Sequence, residues 1–210
     1  MLDGAVVDPT TKKRKIAHVQ SDRKIISKKP RKQAREIDQP DLQSQILLLE
    51  SRIVESRLHY NDISTLLEYV SAQDQGDGRD ITAAVALCRI FCKLMAQGSL
   101  TAASDAPENE ATIVKWLLQR FQEYQERLVG LLKGDPHRQS SALTLLMRLL
   151  KVEAAASKLP ERTIWLNGIL TKLITAFMDC PQAGEARIEF GEKYLEQYHD
   201  IRYYTWLNLS

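Results

Sequence analysis

The side chains of this sequence that are grouped closely enough to do chemistry are cations: Lys12-Lys13-Arg14-Lys15 and Lys28-Lys29-Pro30-Arg31-Lys32, with Arg23-Lys24 between them. Their chemistry is electrostatic. Residues 16 to 27 separate the two main clusters, so an extended segment can present two cationic patches to the acidic groove of a nuclear import receptor. The same side chains can neutralise phosphates, each releasing a counterion and adding salt-sensitive, sequence-independent affinity. One set of residues can serve both uses, and a merely solvated charge run is the plainest alternative. Lys12, Lys13, Arg14, Lys15, Lys28, Lys29, Arg31 and Lys32 are therefore the residues expected to carry import and phosphate contact.

Other reactive types are sparse. Cys88, Cys92 and Cys180 are too few, and odd in number, for a disulfide framework, so a reducing compartment fits. Cys88 and Cys92 lie one helical turn apart, a spacing two metal ligands could use. Zinc asks for four ligands, however, and no second closely spaced Cys or His pair exists, so buried structural thiols are expected and no metal. The run Asp74 to Asp80 has the look of a calcium loop, but Gly76 takes the place of an oxygen ligand and no suitably spaced Glu follows. A turn feeding an Asp80 N-cap is the expectation. His18, His59, His137 and His199 are scattered, and the phosphate-loop, nucleophile-elbow and zinc-protease motifs are absent, which points away from an enzyme and from any cofactor or small-molecule substrate. The aromatic set Tyr194, Tyr198, Tyr203, Tyr204 and Trp206 is mostly core at helical spacing. Arg202, Tyr203 and Trp206 form the candidate partner surface.

These groups sit on two unlike parts. Residues 1–40 hold eleven Lys or Arg against five Asp or Glu, whereas residues 41–210 hold eighteen against twenty-two. The first part has no sustained apolar period and includes Pro9, Pro30 and Pro40, so it is expected to be a disordered basic tail. The second is long enough to bury a core. No apolar run reaches the length of a membrane span, and the N-terminus lacks the pattern of a secretory signal.

From Asp41 onward the apolar residues recur at three and four. Leu42, Ile46, Leu49 and Ile53 lead, after a break near His59-Tyr60-Asn61, to Ile63, Leu66, Leu67 and Val70, as two short helices or one bent one. A helix from Ile81 stops at Gly98, and residues 99–110 form an exposed loop. Ile113, Trp116, Leu117, Phe121, Tyr124, Leu128, Leu131 and Leu132 make the stripe of the next helix, which ends at Gly134-Asp135-Pro136. Residues 138–156 are so widely apolar that burial on several sides is expected. Pro160-Glu161 opens a helix running through Trp165, Ile169 and Phe177 to Cys180-Pro181. Gly184-Glu185 opens another, with Ile188, Tyr194, Leu195 and Tyr198 inward. The expected class is all-α, with antiparallel helices stacked as in HEAT or armadillo repeats, and a compact helical bundle is the alternative because no residue-level repeat signature is present. The chain closes on an aromatic-rich helix without a polar cap, so the 210 residues are expected to be the N-terminal part of a larger protein, or of a subunit completed by another chain.

Four segments carry a family likeness: Glu55-Ser56-Arg57-Leu58-His59-Tyr60-Asn61, Ala86-Leu87-Cys88-Arg89-Ile90-Phe91, Ala142-Leu143-Thr144-Leu145-Leu146-Met147-Arg148-Leu149, and Lys193-Tyr194-Leu195 with Asp200-Ile201-Arg202-Tyr203-Tyr204-Thr205. Over residues 42–210 the chain resembles the N-terminal region of a nucleolar complex-associated protein of the small-subunit branch, in a fungal member of that CBF-domain family. The resemblance implies a non-enzymatic helical scaffold in the nucleolus, acting in 40S subunit biogenesis and pre-18S rRNA maturation within the small-subunit processome, or 90S pre-ribosome. It further implies a heterodimer partner among other nucleolar assembly factors, with pre-rRNA contact through the basic tail. The competing expectation is a general helical adaptor for nuclear transport or chromatin, whose tail is only an import signal.

Overall fold

Helix α1, Leu42–Glu55, forms where the apolar residues recur at helical spacing, and it buries Ile46 and Ile53 with Leu42 and Leu49 packed beside them. Ser56 stops it in an extended conformation. Its Oγ accepts from the Leu58 N–H at 3.3 Å and starts a 3-10 turn, Arg57–His59, before α2 begins at Asp62–Tyr69. The break is thus a change of element, and Ile63, Leu66, Leu67 and Val70 are buried beyond it.

The computed structural model describes residues 41–70, 78–101, 107–156, 165–166 and 168–210, all within one compact unit spanning Gln39–Ser210. The basic tail, the Asp74 to Asp77 stretch, part of the 99–110 loop and the Pro160-Glu161 helix start lie outside the described residues. Within them the secondary structure is helical throughout, with no strand.

Helix α3, Arg79–Ala96, corrects the expected cap: Gly78, at φ 67°, holds the N-cap position, and Asp80 lies inside the first turn. The reason is long-range. One Asp80 oxygen accepts from the Ile81 N–H at 2.8 Å, and the other receives Arg138 Nε at 2.7 Å, a partner 58 residues away. The stop at Gly98 is as expected, and its φ of 70° permits a Schellman closure. In that closure the Gly98 N–H donates to Met95 O and the Ser99 N–H to Leu94 O, both at 2.9 Å.

Helices α4, Glu108–Leu131, and α5, Pro136–Ala156, make an antiparallel pair across a short turn. Asp135 caps α5 by accepting from the Arg138 N–H at 3.0 Å, and Pro136 occupies the first helical position, where no N–H is needed. The α4 stripe is buried at Leu117, Phe121, Tyr124, Leu128 and Leu131, but Ile113 at its start is exposed. Leu143, Leu145, Leu146, Met147, Leu149 and Leu150 of α5 are all buried, because α3 and α4 pack on it together with two of the last helices.

Those last helices are α6, Ile169–Asp179, and α7, Gly184–Phe190, which runs into a π-turn, Gly191–Leu195, and then α8, His199–Leu209. Arg187 donates to the Phe177 and Pro181 carbonyls, both at 2.9 Å, and closes the C-terminus of α6. Ala183, Ala186 and Phe190 form the inward face of α7. The sequence reading put Ile188 and Tyr198 inward, yet they are 58% and 49% exposed. Small residues let α7 approach α5 closely, and the extra residue of the π-turn shifts the helical phase before Tyr198. The α4–α5 pair lies between an α1–α3 layer and an α6–α8 layer, giving the stacked, repeat-like arrangement expected.

Candidate interaction surface

Helix α8 is held along one face and exposed along the other. Asn208 fixes it: its Nδ2 donates to Trp165 O at 3.0 Å and Tyr204 O at 2.8 Å, while its Oδ1 accepts from Thr171 Oγ1 at 2.6 Å. Tyr204 stacks on Trp165 with ring centroids 5.3 Å apart and planes 3° from parallel, and Ile201 and Thr205 are buried. One turn of phase away, Tyr203 and Trp206 are 59% and 68% exposed. Arg202, partly buried, donates to His199 Nδ1. Two aromatic faces and a guanidinium on a rigidly held helix can stack on, or enclose, side chains of a partner.

This region gathers Arg202, Tyr203 and Trp206, as the sequence grouped them. The eight Lys and Arg residues of the tail fall outside the described residues. Sequence reasoning passed over a second apolar surface: Leu47 and Leu48 on α1 and Leu58 on the 3-10 turn are exposed, Leu58 at 86%. The signal was present in the run Leu47-Leu48-Leu49, since three consecutive residues on a helix cannot all face one neighbour.

Between α4 and α6 a cleft of about 410 Å³ is lined by Glu126, Val129, Lys133, Thr171, Thr175 and Ala176, among others, and at its edge Lys172 Nζ donates to Gln125 Oε1 at 2.6 Å. Its walls carry both charge signs around an apolar floor, which suits a side chain or helix of another protein better than a charged metabolite. Among the described residues, no group of three or more His, Cys, Asp or Glu is placed to hold a metal ion, and no helix is long and apolar enough to cross a membrane.

The thiols differ. Cys88 and Cys180 are buried, as expected of structural cysteines, whereas Cys92 is partly open. Cys88 Sγ lies 4.0 Å from Cys92 Sγ. Contact with Cys88 and the Arg148 cation lower the Cys92 pKa to about 7, whereas the same contact and burial push Cys88 up, and the Cys88 S–H has Leu145 O as an acceptor at 4.0 Å. His59 Nδ1 accepts from Arg52 at 3.2 Å and lies 4.0 Å from Asp62, a helix-end contact.

A family model described as "Nucleolar complex protein 4-like, TPR repeats" matches residues 34–210. Its repeats are named TPR where the sequence pattern was likened to HEAT or armadillo; all are built from antiparallel helix pairs. An uncharacterized protein of Schizosaccharomyces pombe is 28% identical over 164 residues, which is 76% of this chain and 33% of that protein. The chain therefore spans about a third of the length of this curated relative. No solved structure matches.

Proposed function

Because the chain belongs to the nucleolar complex protein 4-like family, whose members are nucleolar proteins of ribosome biogenesis, we propose that it is a non-enzymatic helical scaffold of small-subunit pre-ribosomes. The observation that carries this reading is the extent of the match, which takes in all of the described helical body. In this role the chain resides in the nucleolus and contributes to pre-18S rRNA maturation within the small-subunit processome. The tail from Lys12 to Arg35 supplies import and phosphate contact. The exposed faces of α8 and α1 dock neighbouring assembly factors, one of them a stable heterodimer partner, since rigidly mounted aromatic anchors are the residues that concentrate binding energy at protein interfaces.

Crosslinking in cells tests the proposal. Enrichment of precursor small-subunit RNA and of nucleolar assembly factors with the tagged chain is the expected result. RNA recovery at background, with transport or chromatin proteins captured instead, sinks it in favour of a general adaptor.

A further inference from the structure

Cations are unevenly spread over the helical body. Helices α3 and α5 together hold six of its eighteen Lys or Arg residues but two of its twenty-two Asp or Glu residues, so a positive strip runs through a body that is otherwise acidic. Both of those acids are occupied elsewhere: Asp80 receives Arg138 at 2.7 Å, and Glu153 is turned to the Ile169 N–H and Lys172 of α6. Arg89 is joined to Glu50. Lys93, Arg148 and Lys151 remain, all exposed, and none of them has an ion-pair partner among the described residues.

The two helices run side by side in the same direction. Asp80 meets Arg138 near their starts, and further along Cys88 Sγ lies 4.0 Å from Leu145 O, so the offset between partners stays at 58 and then 57 residues. Lys93 therefore stands level with Lys151, which follows Arg148 by about one helical turn. Packed helices have axes about 8–10 Å apart, so the exposed ridges of α3 and α5 border a shallow seam. Val85, Cys92 and Ala96 share one face of α3 and give the seam apolar positions, the first two half-buried and Ala96 exposed.

We propose that the α3–α5 seam docks an acidic segment of a partner protein, its carboxylates pairing with Lys93, Arg148 and Lys151 and its aliphatic side chains resting on Val85, Cys92 and Ala96. This rests on the scaffold reading and names the chemistry of one docked partner. Charge complementarity selects the occupant, since a strip of unpaired cations set in an acidic body favours a short anionic segment aligned with it. A nucleic-acid strand fits less well. Its phosphates continue past the strip, where α1, adjoining α3, exposes Leu47, Leu48 and Val54, and where α7 and its π-turn, adjoining α5, carry Glu185, Glu189 and Glu192. Its backbone also offers no aliphatic group to the apolar positions.

The test uses the full-length chain with Lys12, Lys13, Arg14, Lys15, Lys28, Lys29, Arg31 and Lys32 changed to Gln, so that the tail does not hold an acidic ligand. Fluorescence anisotropy at low salt follows binding of a labelled peptide of about 20 residues composed of Glu, Leu and Ala. Saturable binding is expected, and Arg148→Glu with Lys151→Glu should weaken it at least about tenfold. Lys115→Glu with Arg127→Glu, exposed positions on α4, makes the same change in net charge and should leave it within about twofold. Arg148→Gln with Lys151→Gln should give an intermediate loss, and melting of every variant separates lost binding from lost fold. Four results would each overturn the proposal: no saturable binding, an equal loss in both charge-reversed pairs, tighter binding of a single-stranded RNA with the same dependence on Arg148 and Lys151, or self-association removed by those substitutions. Precursor RNA plays no part in this measurement, so the scaffold reading and the acidic-partner proposal can fail separately.

Discussion

Glu153, near the end of α5, is an acid whose charge works against the fold. Burial pushes its pKa up, the Ile169 backbone N–H and Lys172 oppose the shift only in part, and one carboxylate oxygen is buried without a hydrogen bond. Its pKa is higher folded than unfolded. The stability contributed by the protonated form is thus complete below the unfolded value and is lost as pH rises through the folded one. Glu153→Gln keeps an acceptor for Ile169 and removes the charge, so the variant should be more stable than the parent at pH 7 and equal to it near pH 3. Urea unfolding at both pH values checks this, and an equal difference at the two would refute it. Trp206 and Tyr203 give the opposite kind of residue, exposed and of little structural consequence. Changing both to Ala should alter unfolding free energy by no more than about 0.5 kcal/mol each, yet weaken capture of the docked assembly factor by about 2 kcal/mol or more. A pull-down paired with thermal melting reads both quantities. Tyr204, one residue away, stacks on Trp165, and its loss should register in melting instead.

At the level of elements, Gln139 joins three that would otherwise be separately anchored. Its Nε2 donates to Gly134 O and Gln182 O, both at 2.8 Å, and its Oε1 accepts from the Ala186 N–H at 3.3 Å, tying the α4–α5 turn to the start of α7. Gln139→Leu matches its size and leaves the Ala186 N–H unpaired in a buried site and the two carbonyls unpaired in partly buried ones, so a loss of about 1–3 kcal/mol is expected in chemical denaturation. A loss below about 0.5 kcal/mol would show that water replaces the amide. Gln139 also shows where the sequence stopped being legible. The stripes of α1, α4 and α5 and the stop at Gly98 could be read because each is a local pattern: a 3.6-residue period, or a glycine where φ must be positive. Gln139 carries no local pattern, and Asp80 reads as an N-cap, because the partners that define both lie across the fold. Ile188 was misplaced because hydrophobicity outweighed two alanines in the reading, although close helix approach favours the alanines. The α8 face was found from its aromatics, but only the packing of Ile201, Tyr204 and Thr205 fixes which of them point outward.

For the molecule as a whole, charge divides the chain into a basic tail and an acidic body. The body carries an excess of acids, and its long-range ion pairs, Arg89 with Glu50 at 2.6 Å and Arg138 with Asp80 at 2.7 Å, spend cations on holding α1, α3 and α5 together. A broad phosphate-binding face on the helices is therefore disfavoured, and affinity for RNA should concentrate before residue 40. Replacing Lys12, Lys13, Arg14, Lys15, Lys28, Lys29, Arg31 and Lys32 with Gln turns the net charge from +2 to −6 while leaving the helical body's sequence intact. Each cation that neutralises a phosphate of single-stranded RNA adds about 0.7 to the slope of log affinity against log salt. The variant should thus bind RNA more weakly at low salt and with a nearly flat salt dependence, and the helical signal of the body should be unchanged. Import and RNA contact predict different outcomes when the clusters are changed one at a time: a receptor that reads two patches with a fixed gap needs both, whereas phosphate neutralisation is close to additive. Loss of either cluster should then abolish most nuclear accumulation but remove only about half of the salt slope. Two half-effects on localisation would instead assign the tail to phosphate contact alone, and an unchanged salt slope would move RNA recognition back onto the helices.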